Sequence, residues 1–181
     1  FDRRNAVENA RLFDGLSVSR DPMMMAHQGK YPVIALSLKN LKAETWGTAL
    51  DKFVERVASL YKEFPELATG LAEDDRLQYE RLAARKGSRA ELELSLANLI
   101  DHLYAHYQTP VIVLIDEYDT PVIEAWNQGY YEEIILFLRA WLGAALKHEN
   151  GLALYRSVVT GILRVSKESI FSDLNNLDVA S

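Results

Sequence analysis

The sequence predicts an α/β fold, with helices on both sides of a parallel sheet in a three-layer sandwich. Three observations support this prediction. Short apolar runs alternate along the chain with amphipathic helical patterns, an order typical of parallel strands joined by right-handed crossovers. The runs are almost continuously apolar, as in strands that are buried on both faces. The chain has 181 residues and is 49% hydrophobic, which suffices for one domain with its own core.

The first predicted strand covers residues 31–38, "YPVIALSL", and follows an irregular lead-in over residues 1–30. A helix over "TWGTALDKFVERVASLYKEF" comes next, because its apolar residues recur at spacings of three and four. Residues 65–87 are more polar and are predicted to form one or two short helices as an excursion. Ser88 and Glu91 then have the form of a capping box, which indicates the start of a long helix.

The second half of the chain repeats the order of strand and helix. "VIVLID" (111–116) is the next predicted strand. In "TPVIEAWNQG" we expect Thr120 as the N-cap, Pro121 at the first helical position and Gly129 at the end. A longer helix over "YYEEIILFLRAWLGAALKHENG" is expected to end at Gly151. "LALYRSVVTG" is the third predicted strand, and "SKESIFSDLNNL" is predicted to form a short helix and a turn.

Composition excludes several classes of function. The net charge of -6 argues against a broad nucleic-acid-binding face, and the absence of cysteine removes disulfides, thiolate zinc sites and cysteine nucleophiles. No apolar run reaches the roughly 20 residues of a membrane span, so we expect a cytoplasmic protein. His102 and His106 have metal-ligand spacing, but no third ligand suggests itself, and a solvated pair is the preferred interpretation.

The acids that follow the second predicted strand are the main candidates for chemistry. In parallel α/β sheets, ligands bind at the carboxyl ends of the strands, where Asp116 and Glu117 lie. Two acids in this place are typical of a Walker B motif, in which the first holds Mg²⁺ and the second orients or deprotonates the attacking water. The alternative is that the acids only mark the exit of the strand to solvent, and that Asp119 helps to cap the next helix.

A phosphate site also needs a P-loop, GxxxxGK[ST], and no segment of the sequence matches it. "QGKY" has no Ser or Thr after its lysine. "GILRVSKES" is nearer, with Gly161 and Lys167 in place, but Ser166 replaces the second glycine. The sequence therefore contains half of a nucleotide site.

Several segments together resemble the AAA-ATPase-like family of bacterial proteins, over residues 12–177 approximately. They are "VIVLIDEYDTPV", "YYEEIILFLRAWLGAALK", "VVTGILRVSKESIFSDLNNL" and "GKYPVIALSLKNLKAETWGTAL". In that family a P-loop segment of the type "RPRRFGKT" comes first, and a domain similar to PD-(D/E)XK nucleases usually follows. The sequence contains neither, so we expect it to be a piece of a longer protein.

The resemblance implies roles for individual residues. Asp116 and Glu117 match the Walker B acids, with Asp116 as the Mg²⁺ ligand and Asp119 beside the cofactor. Thr160 matches a sensor-1-like polar residue that contacts the attacking water or the γ-phosphate. Arg164 matches an arginine that stabilises phosphate charge, although a packing or surface role is equally open. Asn175 and Asn176 match the "LNNL" element, to which no role is assigned.

The leading hypothesis is the core piece of a P-loop ATPase, with ATP and Mg²⁺ as ligands of the intact parent and little activity in the piece alone. One alternative is a non-catalytic interaction module. A less favoured one is a metal-dependent nuclease that uses Asp116, Glu117 and Asp119. Contact with nucleic acid is expected only through the C-terminal domain found elsewhere in the family.

The resemblance also implies the strand order 5-1-4-3-2, in which the three strands here are numbers two, three and four. The order within this chain is then 4-3-2, with the strand at 111–116 in the middle. The strand at 154–160 becomes an edge with free backbone groups, which favours pairing with another chain. We therefore expect this edge to be covered by a second copy of the chain, or alternatively by the lead-in over residues 1–30.

Overall fold

The computed structural model describes residues 1–147 and 151–162, which form helices and one three-stranded parallel sheet. The strands are β1 (Val33–Ser37), β2 (Val111–Asp116) and β3 (Leu154–Val159). β2 lies between β1 and β3. The α/β class is confirmed, and each strand falls within its predicted run. The numbering of these strands within a larger P-loop sheet stays a prediction.

The helices occupy the predicted segments between the strands. Single turns of 3-10 helix lie at Arg3–Asn5, Ser17–Arg20 and Pro65–Thr69, and the lead-in otherwise consists mostly of turns and one four-residue helix. The α-helices are α1 (Pro22–Met25), α2 (Trp46–Lys62), α3 (Glu73–Ala83), α4 (Arg89–Tyr107), α5 (Thr120–Gln128) and α6 (Tyr131–Leu146).

Two helix boundaries differ from the prediction, and a third agrees. The capping box at Ser88 is confirmed, because its side chain and that of Glu91 each accept a hydrogen bond from the other's backbone N–H. The N-cap of α5 is Asp119 rather than Thr120, whose hydroxyl is turned toward the preceding loop. α6 ends at Leu146, before Gly151. The short helix predicted in "SKESIFSDLNNL" lies outside the described residues.

The prediction of a three-layer sandwich is wrong for the described residues, because α2 to α6 all contribute to one core on one face of the sheet. The strand residues of that core are Ile34, Leu36, Val111, Val113 and Ile115. Successive strands advance in one direction across the sheet, from β1 to β2 to β3. Right-handed crossovers that advance in one direction place their helices on the same face.

The other face of the sheet is covered at one end only. Tyr31, Val33 and Ile112 form a small second cluster there. Farther along, Ala35, Leu114 and Val158 lie side by side on the three strands and are exposed, with 39% of Leu114 and 46% of Val158 open to solvent. The described structure therefore leaves an apolar row uncovered.

The lead-in lies beside the start of β1 rather than along the edge of β3. Its backbone pairs with Tyr31, whose carbonyl oxygen accepts the N–H of Arg3 at 2.9 Å. It reaches β3 through an aromatic ring, since His27 lies 6.1 Å from Tyr155 between ring centroids. Within the described residues, β3 pairs only with β2, so the alternative in which the lead-in covers the β3 edge is not what the structure has.

Buried polar groups tie the helices to one another inside the core. Tyr61 donates to the carbonyl oxygen of Ser95 at 2.8 Å, and the indole N–H of Trp141 donates to the Ser95 hydroxyl at 3.0 Å. Tyr79 of α3 donates to the carbonyl oxygens of Tyr61 and Phe64. The predicted excursion thus packs into the core. Within residues 1–147 and 151–162, no helix has both the length and the apolar composition to cross a membrane.

Candidate functional site

The candidate site lies at the carboxyl edge of the sheet, where the three parallel strands end side by side. Asp116 is the last residue of β2, and Ser37 is its partner at the end of β1. Thr160 directly follows β3. All three residues are exposed. Parallel pairing therefore brings polar side chains together that are far apart in the sequence.

Asp116 and Thr160 contact each other directly. The Thr160 hydroxyl donates to Oδ1 of Asp116 at 2.5 Å. The backbone of Thr160 is held as well, because its N–H donates to the carbonyl oxygen of Ile115 at 2.8 Å. The carbonyl oxygen of Asp116 accepts the N–H of Leu38 at 2.9 Å, which ties this residue to the end of β1. Both side chains are thus presented to solvent from a fixed backbone.

Glu117 lies in a bulge between β2 and β3. The carbonyl oxygen of Thr160 accepts the N–H of Tyr118 at 3.1 Å, whereas a regular parallel ladder would use the N–H of Glu117. Glu117 is the extra residue, and its φ of +55° is in the left-handed region, which is costly for a residue with a Cβ. Bulges next to active sites redirect a side chain.

The two acids at the strand end have few side-chain partners within the protein. Oε2 of Glu117, which is half-buried, accepts a long hydrogen bond of 3.4 Å from the Thr120 hydroxyl. Among the described residues, neither Asp116 nor Glu117 forms an ion pair with a lysine, arginine or histidine. Their negative charge is therefore available to a ligand that approaches from solvent.

Asp119 has a different environment from the other two acids. Only 1% of it is exposed. Its Oδ2 accepts the N–H of Ile162 at 2.8 Å, and its carbonyl oxygen accepts the N–H of Ile123 in the first turn of α5. The residue predicted to lie beside a cofactor thus faces the protein interior and the chain after β3.

The structure brings together three of the five predicted site residues at the surface, namely Asp116, Glu117 and Thr160, and places Asp119 beneath them. Arg164 lies outside the described residues, as do Ser166, Lys167, Asn175 and Asn176. Gly161 has a role at this edge that sequence reasoning did not assign, because it packs against Asp119. The sequence carries no pattern that indicates this contact.

The donor set at this edge suits a hard cation with a phosphate ligand rather than an all-protein metal cage. Within the described residues, no group of three or more His, Cys, Asp or Glu side chains could hold a metal ion. One exposed carboxylate with a neighbouring hydroxyl is what Mg²⁺ uses when waters and phosphate oxygens supply its other ligands. His102 and His106 do not belong to such a cluster.

The comparison with protein families identifies the relatives of the chain. The profile of the AAA-ATPase-like family, described as predicted AAA-ATPase, matches residues 1–171. The chain belongs to the AAA-ATPase-like family. The match includes every candidate residue of the AAA-ATPase-like chain discussed above except Asn175 and Asn176. Neither the search of curated proteins nor the search of solved structures found a match.

Proposed function

We propose that this AAA-ATPase-like chain is the part of a P-loop ATPase that carries the Walker B acids and a sensor-like threonine. The observation that carries the proposal is the contact between Asp116 and Thr160 at the carboxyl edge of the sheet, with Glu117 beside it. Nucleotide sites in parallel α/β sheets lie at this edge. Neither acid is engaged with a cation in the described structure, so both remain open to a Mg-nucleotide.

Each residue has a distinct proposed role. Asp116 would hold the water shell of Mg²⁺, and the ion supplies charge neutralisation for the phosphates when it is bound. Thr160 fixes Oδ1 of Asp116 by its hydroxyl and can also contact the attacking water. Glu117 would accept a proton from that water or orient it. The bulge matters here because it directs Glu117 away from the alternation of a regular strand.

The proposal assigns the P-loop to a strand and helix that this sequence does not contain. β3 has one side without a partner strand in the described structure, and the apolar row of Ala35, Leu114 and Val158 is uncovered. A strand paired with β3 and joined to β1 by a right-handed crossover would have its helix on that uncovered face, because this connection advances in the opposite direction. The sheet order would then be 5-1-4-3-2, with β3, β2 and β1 as strands four, three and two.

The structure bears differently on the two alternatives. A nuclease that uses Asp116, Glu117 and Asp119 needs all three acids at one cation, but Asp119 is buried and accepts the N–H of Ile162. The nuclease hypothesis is therefore not favoured.

A non-catalytic module predicts that Asp116 and Glu117 are solvated or paired with cations. Within the described residues, the two acids form no ion pair. The absence of turnover in a P-loop-bearing parent would favour the non-catalytic module.

The proposal places these residues in a parent protein that also carries a P-loop, and the test uses that parent. Glu117→Gln keeps the shape of the side chain but removes the base, so turnover of ATP should fall by about 10²- to 10⁴-fold while nucleotide binding is kept. Asp116→Ala should weaken binding of Mg-ATP as well. Glu132→Gln, an exposed acid in the first turn of α6, is the matched control. Undiminished turnover in the Glu117→Gln protein would contradict the proposed function.

A further inference from the structure

A buried carboxylate connects the two segments that form the candidate site. Asp119 belongs to the loop after β2, and Ile162 belongs to the chain after β3. The N–H of Ile162 donates to Oδ2 of Asp119 at 2.8 Å. A buried carboxylate that accepts a backbone N–H forms a stronger bond than a neutral acceptor would.

Within the described residues, this hydrogen bond attaches a short segment, residues 161–162, both of which are exposed. The side chain of Ile162 is 85% exposed, so burial of that side chain does not hold the segment in place. Gly161 is exposed as well. Among the described residues, the backbone N–H of Ile162 is therefore what attaches residue 162, through its bond to Asp119.

Gly161 permits the close approach that this bond requires. A Cβ at residue 161 would lie 2.8 Å from Oδ1 of Asp119 and 2.7 Å from Cε1 of Tyr118. Distances below about 3 Å do not occur for real Cβ contacts, so any side chain at this position would push the segment away from the loop. Glycine is needed at residue 161 because a Cβ has no room between Tyr118 and Asp119.

Thr160 lies between two attachments as a result. On one side its backbone bonds to Ile115 and Tyr118 in the ladder with β2. On the other side the Asp119–Ile162 bond holds the chain two residues later. Together they restrict the backbone of Thr160, whose hydroxyl donates to Oδ1 of Asp116.

We propose that Asp119 is a positioning residue, which with Gly161 clamps the chain after β3 so that Thr160 meets Asp116. Asp119 then acts through Thr160 and does not itself bind the cofactor. The catalytic part of this proposal rests on the proposed function, whereas the clamp itself is a property of the folded chain. The two parts have separate tests.

The clamp is tested by amide hydrogen exchange at Ile162 and Thr160. Asp119→Ala removes the acceptor, and Gly161→Ala separates the two segments while leaving the acceptor in place. Each should speed exchange of the Ile162 amide by at least about tenfold, since loss of a bond to a charged group shifts local opening by that much. Asp119→Asn keeps an oxygen in the same place and should have a smaller effect.

Two controls separate the clamp from general loss of stability. Gly143→Ala adds a Cβ where nothing lies within 4 Å, and Asp51→Asn changes an exposed acid on α2. Neither should change exchange at Ile162. Unchanged exchange in both Asp119→Ala and Gly161→Ala, with the fold retained, would overturn the clamp.

The positioning role is tested by steady-state kinetics in the P-loop-bearing parent. Asp119→Ala and Gly161→Ala should lower kcat by about tenfold or more and leave KM for ATP within about twofold, because the affected interaction serves the reaction and not binding. A rise in KM with kcat unchanged would instead identify Asp119 as a nucleotide ligand and overturn the positioning role. A parent without any turnover would contradict the proposed function, and the exchange measurements would still decide the clamp.

Discussion

The side chains of Thr160 and Asp116 are joined by a hydrogen bond of 2.5 Å across 44 residues of sequence. The bond links the ends of two neighbouring parallel strands, and it lies beside the bulge at Glu117. It makes the orientation of one proposed Walker B acid depend on a residue of the next strand. The consequences of this arrangement can be measured.

Thr160→Val removes the hydroxyl and keeps the shape of the side chain, so Asp116 loses its donor. In the P-loop-bearing parent we expect ATP turnover to fall by at least about tenfold, in line with the loss of a positioned hydrogen bond in the transition state. Thr160→Ser should retain most of the activity. Stability should change by only about 0.5–1 kcal/mol in either variant, because the pair is exposed. Equal turnover in the Val and Ser variants would contradict a role for the hydroxyl.

Glu117→Gly should stabilise the protein, because glycine adopts a φ of +55° without the steric cost that Glu117 has there. Relative to Glu117→Ala, we expect the free energy of unfolding in urea to be higher by about 1 kcal/mol. Glu117→Gln should match the unsubstituted protein, since glutamine has the same Cβ. A glycine variant no more stable than the alanine variant would show that the left-handed conformation carries no strain.

The chain by itself should not bind ATP with micromolar affinity. The P-loop supplies most phosphate contacts through backbone N–H groups, and two carboxylates without it repel a polyanion. Calorimetric titration of the chain with Mg-ATP is the measurement, with Asp116→Ala titrated in parallel. Micromolar binding that Asp116→Ala abolishes would show that another segment, such as residues 161–167, supplies the phosphate contacts.

The 181-residue chain should self-associate through β3 and the apolar row beside it. The strand has one side without a partner in the described residues, and 46% of Val158 is exposed. Such edges and patches favour pairing between chains. Light scattering should give a mass above that of one chain, 20.5 kDa, at high concentration. Val158→Lys should reduce the measured mass, whereas Leu94→Lys should not. Leu94 lies on α4 and has a similar exposure of 48%. A monomer at all concentrations would contradict the prediction.

Stability should decrease as the pH falls below the ordinary pKa of histidine, in part because of His102. Burial lowers the pKa of His102 from its ordinary 6.5, against a smaller opposing effect of Asp75 and Asp101. At a pH between the lowered pKa of His102 in the folded protein and its ordinary value of 6.5, the unfolded chain binds more protons than the folded one. The free energy of unfolding therefore falls as the pH decreases through this range. Urea unfolding of the His102→Gln variant at pH 7.5, 6.5 and 5.5 should show a weaker decline. His106→Gln on the same helix is the matched control, and an equal decline in all three proteins would exclude His102 as a source.

Local sequence patterns predicted the strands and the longer helices of the described residues, although two helix boundaries were wrong. The apolar run "VIVLID" forms β2 at Val111–Asp116, and the Ser88–Glu91 pair forms the predicted capping box of α4. These features depend on residues within a few positions of one another. Backbone hydrogen bonding and side-chain periodicity act over the same range, so the sequence alone determined them. The position of Asp116 and Glu117 at a strand's carboxyl end was predicted for the same reason.

The tertiary structure decided which residues meet and which face is buried. Asp116, Glu117 and Asp119 are close in sequence and all acidic, yet Asp116 is exposed, Glu117 is half-buried and Asp119 is buried beneath them. The difference arises because the chain after β3 returns to this loop, where Gly161 allows contact and the N–H of Ile162 reaches Asp119. The placement of α2 to α6 on one face likewise depends on the order of the strands across the sheet. Both outcomes depend on contacts between segments that are distant along the chain, and periodicity within one segment carries no information about them.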